Sequence, residues 1–302
     1  MSKLLSPFVY YFVLIPISVL PFPVLYIFSD FLYFIIYYIV GYRKNVVREN
    51  LLHSFPELSD EERKDIEKKF YKHFSDFLVE SAKTLTISEK AIRKRCKIMN
   101  PEMPISYYER NKSIVVLCGH YNNWEYYALG LTPQMKHITA AAYKPLKNPF
   151  FNSKFQKSRQ RYGIQMVPMN KLHRYFDEKI DELSMTVLLN DQSPGHPDAA
   201  HWNSFLNQDT GWMKGPEKLA KKYNYPVLFG CIRKKKRGFY EVTFYPISDN
   251  PKEMEEGAIT DKHTEYMTKI INEAPEYWLW SHKRWKHNRP ESAVLSAARA
   301  VG

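Results

Sequence analysis

Ser113-Ile-Val-Val-Leu-Cys-Gly-His-Tyr-Asn-Asn-Trp-Glu125 is the stretch whose reading decides the fold. The apolar, β-branched run from Ile114 to Cys118 is bounded by Gly119 and an Asn pair. That is the pattern of a strand buried on both faces and closed by a turn, as in a parallel sheet. Asn122 or Asn123 can cap a helix that starts there, with Trp124 and Glu125 in its first turn. His120 then stands at the carboxyl end of a strand, where open α/β sheets gather ligands.

Residues five apart lie about 140° apart on a helix, at ~100° per residue. His120 and Glu125 therefore meet only if His120 belongs to the turn before the helix. From there Glu125 could accept the imidazole Nδ1–H and leave Nε2 basic, the base and orienter of a triad whose nucleophile is the substrate. Asn122-Asn123-Trp124-Glu125 also spells a capping box, in which Glu125 only satisfies helix-end amides. One His and one Glu do not separate these readings, so the context must.

Downstream of Ile114 the strand candidates are 138–143, 164–167, 185–189, 226–232 and 239–244. Helical patterns lie between them at 125–130, 152–162, 172–183 and 215–223. Such alternation argues an α/β layer architecture with helices on both faces. The carboxyl-terminal part reads as a helix within 252–273, then a Trp-rich segment, 275–285, and a small-residue tail from Ser292 expected to be disordered. Upstream, Ser59-Asp-Glu-Glu62 is a capping box that opens an amphipathic helix. Ile66, Phe70, Phe74, Phe77 and Leu78 form its core face, and His73 is expected at the surface. A further short basic helix is expected over 87–97.

From Phe8 to Tyr42 the only charged residue is Asp30. Pro16, Pro21 and Pro23 break this apolar span into about 7–20, short enough to be interfacial or re-entrant, and about 24–40, long enough to cross a bilayer. The many tyrosines there, Tyr10, Tyr11, Tyr26, Tyr33, Tyr37 and Tyr38 among them, resemble interfacial anchors. The bland rival is a helical hairpin buried in the core. A signal peptide fits poorly, because the first alanine is Ala82. Arg43, Lys44 and Arg48 follow the span, which by the positive-inside bias keeps the remainder cytoplasmic.

The 302 residues suffice for one large domain with an appendage, and the net charge of +12 favours an acidic partner, a phosphate-bearing substrate or an anionic membrane surface. Between Tyr126 and Phe176 there is no Asp or Glu, while Lys136, Lys144, Lys147, Lys154, Lys157, Arg159, Arg161, Lys171 and Arg174 all fall there. A one-signed stretch just after the His/Glu corner suggests a site for phosphates or an acidic carrier. The run Arg233 to Arg237 between two strands reads as a hairpin turn on lipid headgroups or in solvent, and no nucleic-acid-binding motif accompanies it. Three scattered cysteines, Cys96, Cys118 and Cys231, suit reduced core thiols and not a disulfide frame, and the histidines show no metal-ligand spacing.

Taken as an ordered set, these blocks resemble the lysophospholipid acyltransferase superfamily. The closest branch is the late (lauroyl/myristoyl) acyltransferases of lipid A biosynthesis, with the related mannoside acyltransferases. His120-Tyr-Asn-Asn-Trp-Glu125 looks like the family's His-x4-Asp/Glu block, Ala142-Tyr-Lys-Pro145 its Tyr-Arg-Pro block, and Arg159-x-Arg161-Tyr-Gly163 its basic step. Asp191-Gln-Ser-Pro194 resembles an Asp-Gln block after a strand, Thr210 to Lys221 the stretch ending in a helix, and 275–286 the carboxyl-terminal Trp/His/Arg signature. Lys144 departs from the family's usual Arg, keeping the charge but losing the bidentate fork.

The resemblance implies an α/β fold: a mixed, mostly parallel central sheet flanked by helices, glycerol-3-phosphate acyltransferase-like, with an N-terminal membrane-associated segment. The expected organisation is 1–42 anchor, 43–290 acyltransferase domain and 291–302 tail. It implies transfer of an acyl group from a thioester to a hydroxyl or amine of a lipid acceptor, a lipid A precursor or lysolipid, at a bacterial inner membrane. No cofactor is expected, acyl carrier protein or coenzyme A carrying the co-substrate. His120 as base, Glu125 as its orienter and Arg159 as the cation meeting the carbonyl oxygen form the expected catalytic set. Tyr143, Lys144, Arg161, Asp191 and Gln192 are expected at the substrate, with Asp191 either helping to hold the imidazole or capping a loop. His282, Lys283 and Arg284 are expected to pack structurally with an edge toward the headgroup. The rivals are a membrane-bound thioesterase or lipase that gives the same dyad water, and an idle membrane-anchored binding protein.

Overall fold

The computed structural model describes residues 5–291, and among them the apolar runs and three short, more polar segments form nine strands. They are β1 (Cys96–Ile98), β2 (Ile114–Cys118), β3 (Ile138–Tyr143), β4 (Gln165–Pro168), β5 (Ser184–Leu189), β6 (His201–Phe205), β7 (Gln208–Trp212), β8 (Val227–Lys236) and β9 (Phe239–Ser248). Seven form one sheet in the order β1-β9-β8-β2-β5-β3-β4, and β6 pairs only with β7. Every pairing in the large sheet is parallel except the β8–β9 hairpin. The fold is thus α/β with a mixed, mostly parallel sheet, as the residue pattern and the resemblance lead one to expect. The tail from Ser292 lies outside the described residues.

Strand β2 runs through the middle and is buried on both faces, which is why it carries no polar residue. Side chains alternate across a strand. Val115 and Leu117 accordingly join one core with Phe70, Tyr71, Phe229, Met267 and Trp278, while Ile114, Val116 and Cys118 join the other with Tyr126, Leu129, Leu131 and Leu228.

The helix Asp60–Lys83 begins at the expected capping box, Ser59 with Glu62. His73 on it is not at the surface. It is 6% exposed, and its ring lies edge-on to Tyr277 from the carboxyl-terminal segment, 4.8 Å between centroids. Burial, followed by the nearby Lys234 charge, pushes its pKa well below the ordinary value.

Two further expectations are corrected. The basic helix ends at Arg95, and the chain turns at once into β1, where Cys96 and Ile98 face inward beside β9. The helix after β4 ends at Glu178. The stretch from Thr210 to Lys221 ends in the expected helix, Gly215–Tyr223, and its first residues belong to β7.

The basic run is a hairpin, and four of its five charges are paired within the chain. Arg233 pairs with Glu273, Lys234 with Asp76, Lys235 with Glu241, and Arg237 with both Asp30 and Asp76. Gly238 turns the hairpin with φ of 75°, and a side chain there would strike the Tyr26 hydroxyl.

The N-terminal span is two helices, Leu5–Val19 and Phe22–Val40, parted at Leu20 and Pro21. The second, with 19 residues and mean hydropathy of 1.7, is long and apolar enough to cross a membrane; with 17% of it buried, it is not a core hairpin.

Candidate active site

The register of the central strands builds the site. Cys118 of β2 lies beside Leu189 of β5, and the Asn190 N–H extends the ladder to the Cys118 carbonyl at 3.1 Å. Two residues beyond each strand end come His120 and Asp191, brought together although 71 positions apart in the chain. His120 Nδ1 lies 2.6 Å from Asp191 Oδ1, and the His120 backbone N–H donates to Oδ2 at 2.7 Å. Trp278 Nε1–H donates to the same Oδ2 at 2.9 Å. Gly119 leaves this corner room, since a side chain there would strike Met267.

Asp191 is 2% exposed. Burial by itself would raise its pKa, but the imidazole, its hydrogen bond, the Trp278 indole and the His120 amide together hold the carboxyl below its usual value. An ionised carboxylate only accepts, so Nδ1 carries the proton and Nε2 presents a lone pair. Gln192 Nε2 lies 3.2 Å from that nitrogen and donates to it, so an incoming hydroxyl must displace the amide. The ring, 19% exposed, leans edge-on to Trp124 with centroids 5.0 Å apart.

Glu125 does not orient His120. Its carboxylate takes the Arg159 fork, Nε to Oε2 at 2.8 Å and the second nitrogen to Oε1. Nor does it close a capping box. Asn123 is the cap and accepts from the Tyr126 N–H at 2.8 Å, while Asn122 adopts a left-handed conformation, φ 54°. The physical reason is the turn: by the time the chain enters the helix Trp124–Leu131, Glu125 points to the helix Pro149–Arg159, whose last residue is Arg159. Burial alone would lower the Arg159 pKa, and the Glu125 carboxylate reverses this and raises it.

Of the other expected residues, Tyr143 ends β3 and is half-buried, and Lys144 is exposed just beyond it. Arg161 is committed elsewhere: NH1 donates to the Thr84 and Leu85 carbonyls and NH2 to Ile87, which staples the end of the helix Asp60–Lys83.

The carboxyl-terminal segment clamps the site from behind. Asn122 N–H donates to the Tyr277 carbonyl at 2.9 Å, and Tyr121 bridges Trp278. His282 Nε2 accepts from the Ser193 N–H at 3.2 Å and fixes the loop that carries Asp191 and Gln192. Burial, opposed by Asp191, holds its pKa down at about 4. Arg284 is 2% exposed, stacks over Trp212 and donates to the Gly211 carbonyl at 2.8 Å, so it has no headgroup-facing edge. Trp278 as a donor to Asp191 had no local signal in the sequence, because nothing near it specifies the partner. No group of three or more His, Cys, Asp or Glu that could hold a metal ion occurs among the described residues.

The chain is 24% identical over 253 residues to "Lipid A biosynthesis palmitoleoyltransferase" of Escherichia coli (strain K12), covering 81% of this chain and 79% of that protein. The same figures hold for "Lipid A biosynthesis acyltransferase" of Shigella flexneri. The family model "Bacterial lipid A biosynthesis acyltransferase" matches residues 2–287. The chain therefore belongs to the bacterial lipid A biosynthesis acyltransferase family, and it is an acyltransferase.

Proposed function

We propose that the protein moves a fatty acyl group from an acyl thioester to a hydroxyl or amine of a lipid A precursor or related lipid, with His120 as general base and Asp191 as the residue that orients it. The observation that carries this is the 2.6 Å contact between His120 Nδ1 and a buried carboxylate at the carboxyl ends of two parallel strands. His120 Nε2 takes the proton from the acceptor. The acceptor atom forms a bond to the thioester carbonyl carbon, and the negative charge passes to the carbonyl oxygen. As the tetrahedral adduct collapses, the carbon–sulfur bond breaks and the imidazolium returns its proton to the leaving thiolate. Asp191 holds the ring in the right tautomer and stabilises its charged form.

Arg159, held by Glu125, supplies the cation near the developing oxyanion. Two of its five N–H groups are spent on Glu125, leaving others for the substrate. Loss of one such donor typically costs about 3 kcal/mol of barrier. Tyr143 and Lys144 receive the acceptor headgroup or a donor phosphate, with acyl carrier protein or coenzyme A as the acidic carrier for the basic stretch. The apolar N-terminal helices keep the site at the inner membrane, and the basic residues after them keep it on the cytoplasmic side.

The test is an assay with membranes holding the protein, a labelled acyl thioester and total lipid extract, read by mass spectrometry. Acylated lipid supports transfer, and free fatty acid in its place would mean hydrolysis. His120→Ala is expected to lower transfer by about 10²–10⁴-fold. Wild-type transfer by that variant would remove His120 from the mechanism.

A further inference from the structure

We infer that the two N-terminal helices lie flat in a single leaflet of the membrane and do not cross it. This rests on the membrane reading above. Along Phe22–Val40 the residues Val24, Ile27, Phe31, Phe34 and Tyr38 are 46–70% exposed and recur at alternating steps of three and four, which is one helical stripe. The opposite side is bound to the protein along its length. Tyr26 Oη donates to Glu80 at 2.8 Å, Ser29 Oγ donates to Asp76 at 2.8 Å, and the Tyr37 ring lies 5.3 Å from Tyr71. Those partners descend as the first set ascends, so the helix runs antiparallel to Asp60–Lys83 over its whole extent.

That attachment is incompatible with crossing. Nineteen residues at ~1.5 Å each span about 28 Å, the thickness of a hydrocarbon core. In a crossing orientation Asp30, near the middle of the helix, would stand close to the bilayer midplane. It would bring Arg237, which bridges it to Asp76 at 2.6 Å, and Lys234. Charges are disfavoured there. Lying flat puts only the apolar stripe among acyl chains and leaves every one of these charges at or above the headgroups. The first helix repeats the design: Leu5, Phe8, Phe12 and Val19 are 44–70% exposed on a stripe, whereas Ser6 is tied inward to Asn148 at 2.8 Å.

The occupant is thus one leaflet, and the two ends of Phe22–Val40 must lie on the same side of it. The test places single cysteines at those ends in the full chain, Pro21→Cys and Asn45→Cys, both exposed positions, against a background in which Cys96, Cys118 and Cys231 are buried. Pro23→Cys and Glu49→Cys give a second pair at the same ends. Spheroplasts of bacterial cells making each variant are treated with a membrane-impermeant maleimide, before and after lysis. The expected result is equal behaviour: neither end labelled in intact spheroplasts and both labelled on lysis. Labelling of both ends in intact spheroplasts would keep the flat orientation and move it to the other leaflet. Labelling of one end alone means crossing and overturns the inference. Recovery of the chain in the soluble fraction would instead overturn the membrane reading on which it rests.

Discussion

Two imidazole–carboxylate pairs of this molecule, His120–Asp191 and His201–Asp261, are nearly identical by contact. His120 meets Asp191 at 2.6 Å with the ring 19% exposed, and His201 meets Asp261 at 2.7 Å with the ring 20% exposed. The difference is in the acid: Asp191 is 2% exposed and Asp261 47%. Asp191 lies behind the ring at the ends of two parallel strands, fixed by an indole and a backbone amide. Asp261 lies on the outer helix Ala258–Glu273 and shares its oxygen with Asn203, so that pair clasps the β6–β7 hairpin to the helix. A histidine becomes a directed base when its acid partner is walled off from water, because only then is one tautomer enforced in a medium where the interaction is strong.

The largest contrast is expected from removing each acid's charge. Asp191→Asn should lower acyl transfer by about 10³–10⁴-fold, as tautomer loss does in a triad, while Asp261→Asn changes it by no more than about twofold. Equal losses in the two variants would dissolve the distinction. Next in size is the Glu125–Arg159 pair. In double-mutant cycles on kcat/KM, Glu125→Gln and Arg159→Ala should couple by about 1–3 kcal/mol, whereas Glu125→Gln and Asp191→Asn should add within about 0.5 kcal/mol. Strong coupling in the second cycle would put Glu125 back on the imidazole.

The smallest effect concerns a third ring that has burial and no acid in contact. His263, 0% exposed, faces the Cys118 carbonyl at 3.2 Å, and burial lowers its pKa to about 4. A depressed folded value means stability that is present above the unfolded value, about 6.5, and lost as pH falls toward 4, at most on the order of 3 kcal/mol. The thermal midpoint in detergent should therefore fall between pH 7 and 4.5, and less so in His263→Leu. Asp191, whose folded value is lowered from the ordinary carboxylate range, adds its own loss only below about pH 4. A midpoint flat down to pH 4.5 would refute the role given to burial.

The sequence made β2 and the place of His120 legible because a run buried on both faces leaves no polar residue, and a glycine and two asparagines mark its end. It did not disclose the partner. Asp191 follows β5 as His120 follows β2, but their meeting depends on β5 lying next to β2 in the sheet, with Cys118 beside Leu189, which no local pattern encodes. Glu125 was assigned to His120 by nearness in the chain, whereas its real partner arrives from another helix. The β6–β7 hairpin escaped for a different reason. Its two turn residues, Leu206 and Asn207, both have positive φ without a glycine, so the usual turn signal is missing. His73 was misplaced because Tyr277, which covers it, lies some two hundred residues on.

The clamp behind the site also bears on when, during synthesis, activity can first appear. Tyr277 and Trp278 grip the corner at Asn122, Tyr121 and Asp191, Asn50 donates to the Trp280 carbonyl at 2.8 Å, and β9 shelters β1. A nascent chain on the ribosome thus holds its base and acid long before it holds the indole that fixes them. Contacts so distant in sequence close slowly. Until the ribosome has released the segment through Trp280, the growing chain carries its greasy front end with no finished enzyme behind it.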